Sequence, residues 1–328
     1  MDVEIFSGLQ GKTREKWAEF LNKAELDADA GVEKTVLIRD GGEIIAAGSR
    51  QNNVLKCIAV DETRQGEGLT ATLLTALRAD ALSCGIDHLF LYTKPKNEAM
   101  FSSLFFYPVA RTGDVLLMEN RKNGIGQFLD SLCVPETTGD TAAIVMHCNP
   151  FTRGHRYLIE TAAGQCHRLL LFILSEEGSI FPAADRLEMV KQGTADLSNV
   201  TVLPTGPYLI SSATFPTYFL KDKSRLSAIQ CQLDAGVFIR HFAPKFHIIR
   251  RFVGTEPLCP VTRQYNETLK QALPQNGVEV CEIPRLMAEN TPISASAVRG
   301  LLGQNRPEEL KKLVPETTFR YLQDHSMI

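Results

Sequence analysis

The pattern of apolar and polar residues changes character near the middle of the 328-residue chain. After residue 141, near-continuous apolar runs alternate with amphipathic segments. This alternation predicts buried parallel strands separated by helices that cover both faces of the sheet. The expected strands cover residues 142–146, 168–174, 200–203, 246–253 and 278–281, and the expected helices cover 154–165, 183–194, 224–235 and 260–272. We therefore predict an α/β domain with a five-stranded parallel sheet over residues 141–328.

The first 122 residues carry a different pattern, which predicts an α+β domain. An amphipathic helix is expected at 12–28, and Gly41-Gly42 is typical of a hairpin between two strands. The expected strands are 35–39, 43–47, 54–60 and 89–93, and a second helix opens at Leu69 and stops at Gly85. The loop-rich interval 123–140 is the predicted linker, with a short helix at 127–133.

Composition excludes several classes of protein. The formal net charge of −3 favours neither nucleic acid nor an anionic membrane as a partner. No apolar run approaches the ~20 residues of a membrane span, and the acidic N-terminus lacks the apolar region of a signal peptide. The eight cysteines are scattered without a C-x-x-C pair. They indicate reduced core residues of a cytoplasmic protein, with no disulfide framework and no metal site.

The turn after the first predicted strand of the second domain carries the candidate chemistry. Its sequence is Asn149-Pro150-Phe151-Thr152-Arg153-Gly154-His155. A turn from a strand into a helix presents free backbone N–H groups and the positive end of a helix dipole, which favours anions. Gly154 allows close approach and His155 supplies a directional donor. The alternative is an ordinary turn with a surface histidine.

This turn resembles the N-P-x-[T/H]-x-G-H pattern of the nucleotidyltransferase superfamily, which has a Rossmann-like fold. A later stretch, Ile293-Ser294-Ala295-Ser296-Ala297-Val298-Arg299, resembles the superfamily's second pattern, I-S-x-S-x-x-R. Helix capping alone would also explain the two serines. By resemblance, ATP is the cofactor, bound by Asn149, Pro150, Phe151, Gly154, Ser294 and Ser296.

The same resemblance implies the catalytic roles. An oxygen nucleophile attacks the α-phosphate, and the enzyme positions the reactants and stabilises charge. His155 donates to the triphosphate, Thr152 adds a second donor, and Arg299 neutralises pyrophosphate. Mg²⁺ is expected to be held mainly by the phosphates.

The sequence leaves the roles of two further residues of this domain undecided. Arg186 is either a phosphate or carboxylate contact or a surface charge. Glu256 follows a predicted strand. Its three alternative roles are to orient a ribose, to bind a metal or to cap a helix N-terminus.

A second anion cradle is expected in the first domain. The spacing Gln65-x-x-Gly68-x-Thr70, with Gly66 between, resembles the [Q/R]-x-x-G-x-[G/A] pattern of the GNAT acyltransferases, although Thr70 departs from it. The resemblance implies that Gln65, Gly66 and Gly68 hold the pyrophosphate of a CoA-like molecule. Phe101 stands where many GNAT enzymes have a tyrosine that protonates the thiolate. We therefore expect binding rather than acetyl transfer here, with a GNAT-like fold without a ligand as the other alternative.

The order of the two domains resembles the citrate lyase ligase family, as do the stretches 210–216, 251–257 and 260–266. The resemblance implies an ATP-dependent acetylation through acetyl-adenylate. Its partners would be acetate and the citrate lyase acyl carrier subunit with its CoA-like prosthetic group. Two alternatives are a nucleotide or phosphopantetheine adenylyltransferase and an acyl-CoA-sensing regulatory protein.

Overall fold

The computed structural model describes residues 1–209, 215, 218–220, 225–257, 259–288, 291–304 and 306–328. Most of the stretch 210–216, and the predicted helix start at residue 224, therefore lie outside the described residues. The chain divides into two compact units. One comprises Met1–Ile125 and Phe215–Ile229, and the other comprises Gly126–Thr214 and Gln230–Ile328. Within the described part of the chain, no helix is long and apolar enough to cross a membrane.

The first unit is built on a seven-stranded, mainly antiparallel sheet. Its elements are β1 Asp2–Ser7, α1 Gly11–Lys23, β2 Lys34–Asp40, β3 Glu43–Gln51, β4 Val54–Val60, α2 Leu69–Ser83, β5 Phe90–Thr93, α3 Glu98–Ser103, β6 Tyr107–Arg111 and β7 Leu116–Glu119, followed by α4 Gly124–Ser131. The strand order is β1-β2-β3-β4-β5-β7-β6. The helix predicted to open at Leu69 is confirmed as α2, and its apolar stripe of Leu69, Leu73, Leu74, Leu77 and Ala81 is buried.

The pairing between β4 and β5 in this sheet is short. β4 and β5 run parallel and pair only at Val54 with Phe90 and Leu55 with Leu91. The remainder of β4 has no partner on β5, so the two strands separate toward their carboxyl ends. The chain leaves the open end of β4 through residues 61–68 and enters α2, which places the predicted cradle next to this separation.

The second unit contains the predicted five-stranded parallel sheet. Its elements are β8 Thr141–Met146, α5 Arg153–Ala163, β9 Arg168–Ile173, α6 Ala183–Gly193, β10 Val200–Pro204, α7 Leu226–Val237, a π-helical turn Phe238–Phe242, α8 Ala243–Phe246, β11 Ile248–Gly254, α9 Pro260–Ala272, β12 Glu279–Ile283, the short pair β13 Met287–Ala288 and β14 Thr291–Pro292, α10 Ala295–Leu301, α11 Pro307–Leu313 and α12 Glu316–Asp324.

The strand order of this sheet is β10-β9-β8-β11-β12. The chain builds the sheet outward from β8 in one direction and then crosses over to build β11 and β12 on its other side. Open α/β sheets bind ligands at such a switch point, beyond the carboxyl ends of the central strands. The turn at Asn149–His155 leaves the carboxyl end of β8 and therefore lies at the switch point.

Several elements differ from the sequence predictions. β1, β6 and β7 were not predicted, and α1 ends at Lys23 rather than at residue 28. β11 begins at Ile248 because residues 243–246 form α8, so the predicted start at 246 is wrong. All eight cysteines are free, as predicted. The core assignment is wrong for Cys84, Cys133 and Cys259, which are exposed.

Candidate active site

The turn between β8 and α5 fixes the orientation of His155. Thr152 is the N-cap of α5, and its hydroxyl accepts a hydrogen bond from the His155 amide at 3.2 Å. In return, the Thr152 amide donates to Nδ1 of His155 at 3.1 Å. This reciprocal cap holds the ring by its Nδ1 atom. Because Nδ1 accepts, the neutral ring carries its hydrogen on Nε2, which is then the available donor.

The surroundings of His155 keep it uncharged. Burial, followed by the charges of Arg285 and His147, lowers the pKa of His155 to about 4. The ring is therefore a neutral hydrogen-bond donor at neutral pH. The hydroxyl of Thr152 is buried and engaged by His155, so the geometry makes Thr152 a positioning residue for the ring.

The structure brings the two sequence patterns together. Arg299, on α10, donates through Nη1 to the carbonyl oxygen of Asn149 and through Nη2 to the hydroxyl of Ser296 at 2.9 Å. Ser294 is the N-cap of α10 and accepts from the Ala297 amide at 3.1 Å. The guanidinium of Arg299 therefore lies against the turn that carries His155.

Gly154 forms the second contact between the two patterns. A Cβ atom added at Gly154 would lie 3.0 Å from the carbonyl oxygen of Ile293. This separation is tighter than ordinary van der Waals contact, so a glycine lets the first turn of α5 pack against the start of the second pattern. The sequence predicted that Gly154 lets a phosphate approach the turn. In the structure, Gly154 also lets the backbone at Ile293 approach α5.

Three neighbouring residues of the turn have packing roles. Pro150 and Phe151 are buried, and the Phe151 ring stacks on His155 with ring centroids 6.1 Å apart. Gly193 of α6 packs against Phe151 so closely that a Cβ there would overlap the ring. The Phe151 side chain therefore fills the core. The side-chain oxygen of Asn149 accepts from the Phe181 amide at 3.3 Å.

Arg186 forms hydrogen bonds to the segment that leads into the same turn. Its side chain is completely buried, and its guanidinium donates to the carbonyl oxygens of Phe181, His147, Leu174 and Glu176. These carbonyls follow the carboxyl ends of β8 and β9. Both sequence interpretations of Arg186, a ligand contact and a surface charge, are therefore wrong. Its four hydrogen bonds join two loops of the site.

Glu256 lies after β11 and is also buried. Its Oε1 accepts from the Cys259 amide at 3.0 Å, just before α9, which matches the helix N-terminus among its three predicted roles. Its Oε2 forms an ion pair with Arg285. The sequence did not single out Arg285, which follows β12 and approaches His155 closely enough to lower its pKa. A position just beyond the last parallel strand was the only feature that could have indicated it.

The cradle of the first unit is open to solvent. Gln65, Gly66 and Gly68 are exposed, and both glycines have positive φ, +90° and +74°. Gly68 is the N-cap of α2 in the left-handed conformation, and a Cβ there would meet no atom within 4 Å. The helix N-terminus is therefore accessible to an anion.

Phe101 is the residue that the sequence resemblance aligns with the GNAT tyrosine. It is 4% exposed and packs edge-on against Phe106, with ring centroids 6.4 Å apart. Asn97 donates to the Thr93 hydroxyl at 2.9 Å, which is consistent with a local structural role. Phe101 therefore supplies no phenol to a reacting thiol.

Known families match both halves of the chain. The family model described as the citrate lyase ligase C-terminal domain matches residues 141–322, and the acetyltransferase (GNAT) family model matches residues 4–102. Curated proteins named [Citrate [pro-3S]-lyase] ligase match at high coverage. The one from Klebsiella pneumoniae is 41% identical over 94% of this chain and 92% of its own length. The one from Escherichia coli is 39% identical over 98% of this chain and 94% of its own length.

Solved structures match this chain at lower sequence identity than the curated proteins do. Escherichia coli ElaA has a TM-score of 0.34 at 14% identity and covers 37% of this chain and 99% of its own. Thermotoga maritima TmcAL bound with alpha-thio ATP has a TM-score of 0.38 at 14% identity and covers 57% of this chain and 56% of its own.

The sheet topology and the matched families define an enzyme in which a GNAT domain is followed by a citrate lyase ligase C-terminal domain with a five-stranded parallel sheet. The expected fold class is thereby confirmed. The chain belongs to the citrate lyase ligase family, whose members are ligases. Neither alternative, the adenylyltransferase nor the regulatory protein, is supported by these relatives.

Proposed function

We propose that the protein uses ATP and acetate to acetylate the prosthetic-group thiol of the citrate lyase acyl carrier subunit, releasing AMP and pyrophosphate. The observation that carries the proposal is the contact of Arg299 with the turn that orients His155, in a chain of the citrate lyase ligase family. That contact supports the proposal that the two separate patterns together bind the triphosphate.

The first step is attack of an acetate oxygen on the α-phosphate of ATP. The amides at the start of α5 and the Nε2–H of His155 donate to the phosphates as charge develops on the leaving pyrophosphate. Arg299, which binds the Asn149 carbonyl, and Arg285, whose charge acts on His155, would supply positive charge to the phosphates. Because His155 is neutral, it stabilises the leaving group by a hydrogen bond and keeps its proton.

Mg²⁺ would assist by neutralising phosphate charge. Among the described residues, no group of three His, Cys, Asp or Glu side chains lies close enough to hold a metal ion. We therefore assign most of its ligands to the phosphate oxygens, a mode that Mg²⁺ commonly adopts.

The second step transfers the acetyl group to the carrier thiol. The open N-terminus of α2, with Gln65, Gly66 and Gly68, would hold the pyrophosphate of the CoA-like arm. The buried Phe101 cannot protonate a thiolate, so this cradle serves binding rather than an acetyltransferase reaction of its own.

Pyrophosphate exchange tests the first step directly. The protein should exchange labelled pyrophosphate into ATP only when acetate is present. His155→Ala should lower that exchange by about 10²–10³-fold, the usual effect of removing one transition-state donor. Circular dichroism would verify that the variant folds. Exchange that requires nicotinamide mononucleotide instead of acetate, or exchange that survives in His155→Ala, would contradict the proposal.

A further inference from the structure

His147 is an ionisable residue beside the candidate active site that the adenylation step does not use. It directly follows β8 and lies two residues before Asn149. Its Nε2 atom is 3.0 Å from Oε1 of Glu176 and 2.9 Å from the hydroxyl of Ser179. The His147 side chain is 37% exposed, whereas that of Glu176 is 11% exposed. The ring is therefore open to a ligand on one side and held by a nearly buried carboxylate on the other.

These contacts determine which ring nitrogen is free. An ionised carboxylate only accepts hydrogen bonds, so Nε2 carries the hydrogen of the neutral ring. Nδ1 then has a lone pair, and it has no hydrogen-bond partner among the described residues. In a serine triad the serine and the carboxylate bind opposite ring nitrogens. Here Ser179 and Glu176 both approach Nε2, so the cluster does not activate Ser179 as a nucleophile.

The geometry points to a catalytic base. We propose that Nδ1 of His147 removes the proton from the carrier thiol during acetyl transfer, and that Glu176 orients the ring. This assignment rests on the proposed function. The thiol sulfur forms a bond to the acetyl carbon of acetyl-adenylate, and the bond from that carbon to the phosphate oxygen breaks. AMP leaves with the electron pair, and the thiol proton moves to Nδ1.

The surroundings of the ring keep it in the unprotonated form that can accept a proton. Burial, followed by Arg186 and Arg299, lowers the pKa of His147 to about 4, so the ring is unprotonated when the thiol arrives. Phosphate groups bound near Arg299 would offset the charge of that arginine and increase the proton affinity of the ring. The nearby His155 is neutral and adds no opposing charge.

Glu176 is placed to stabilise the protonated ring. Burial raises the pKa of Glu176, and its Oε2 atom is buried without a hydrogen-bond partner. A buried carboxylate with an unsatisfied oxygen is stabilised when a positive charge forms beside it. Proton transfer to His147 creates that charge 3.0 Å from Oε1. Glu176 therefore offsets part of the cost that burial, Arg186 and Arg299 place on protonating this ring.

Separating the two half-reactions tests the assignment in the full-length protein. His147→Gln should keep acetate-dependent pyrophosphate exchange within about threefold of the unmodified protein. Its acetyl transfer to the thiol of the intact carrier subunit at pH 7 should fall by about 10²-fold, the usual contribution of a general base. The loss should shrink as the pH rises toward about 9, because a thiol with a pKa near 8.5 then ionises without a base.

Two further variants sharpen the test. Glu176→Gln keeps a polar side chain but removes the charge, so acetyl transfer should fall while exchange persists. Ser179→Ala removes the other neighbour of Nε2 and should have a smaller effect on acetyl transfer. A loss in His147→Gln that is the same at pH 7 and pH 9, or equal losses in both half-reactions, would overturn the base assignment. Absence of acetate-dependent exchange in the unmodified protein would instead overturn the proposed function.

Discussion

At the scale of single residues, the side chains that support the site are as informative as those that face it. The sequence predicted His155, but its tautomer follows from the amide of Thr152, which donates to Nδ1. Arg186 shows the converse, because an arginine in a helix usually suggests a surface or a ligand. Its four carbonyl acceptors come from two separate loops, and no spacing along the chain could have indicated them.

The pKa of His155 predicts how stability depends on pH. The pKa is about 4 in the folded protein and 6.5 in the unfolded chain, so only the unfolded chain takes up this proton between those values. Stability therefore falls as the pH is lowered from 6.5 toward 4, by up to about 1.4 kcal/mol per pH unit for one fully titrating group. His147 contributes in the same direction.

Urea denaturation at several pH values between 4.5 and 7.5 would measure this dependence. His155→Gln removes the titrating group, so its free energy of unfolding should vary less steeply with pH below 6.5. At pH 7.5, where neither state binds the proton, the variant reports the cost of the lost hydrogen bonds alone. Parallel curves for the variant and the unmodified protein would contradict the expected burial of the neutral ring.

At the scale of elements, the hydrophobic pattern predicted the buried strands and the helices well. It predicted the strands at the edges of the sheets poorly. β8, β9 and α9 lie close to their predicted ranges because continuous apolar runs and strong amphipathicity leave little ambiguity. β1 was missed because it is an edge strand whose Val3 and Ile5 are exposed, so it lacks a buried face that sequence could reveal. The short pair β13–β14 has only two residues in each strand, too few for an alternating pattern to appear in the sequence.

The packing of α5 against the second pattern makes a prediction at this scale. Gly154→Ala places a Cβ 3.0 Å from the Ile293 carbonyl, so α5 and the segment before α10 must move apart. This displacement should lower acetate-dependent exchange by about tenfold and destabilise the protein by about 1–3 kcal/mol, the usual effect of overpacking. Exchange kinetics and urea denaturation would measure both effects.

Gly164→Ala is the matched control at the other end of α5. A Cβ there lies 3.6 Å from the Glu160 carbonyl, an ordinary contact, and the backbone at Gly164 is helical. The control should retain both exchange and stability. If the two alanine variants behave alike, then the close contact at Gly154 does not hold the two patterns together.

At the scale of the whole molecule, two compact units divide the proposed reaction into nucleotide chemistry and arm binding. The chain passes from the first unit to the second between Ile125 and Gly126, inside the predicted linker 123–140. It then contributes Phe215–Ile229 to the first unit. No change in composition marks that return, because it depends on contacts between segments that are distant in sequence. The sequence predicted the two functions but not this path of the chain.

Gly68 allows the two functions to be separated. A valine there would lie at φ +74°, directly before α2, and would strain the backbone and cover the helix N-terminus. Gly68→Val should raise the KM for the carrier subunit by at least about tenfold, which corresponds to about 1.4 kcal/mol of lost binding. Acetate-dependent pyrophosphate exchange, which belongs to the second unit, should be unchanged.

Gly85→Val controls for backbone strain. Gly85 follows the same helix at φ +77° and has open space around it, so the valine carries a similar conformational cost at the opposite end of α2. Both variants should lose similar stability, but only Gly68→Val should weaken the interaction with the carrier. Equal increases in KM would indicate that strain alone explains the effect. A parallel loss of exchange and acetyl transfer in Gly68→Val would show that the first unit is needed for adenylation, and that the two functions are not divided between the units.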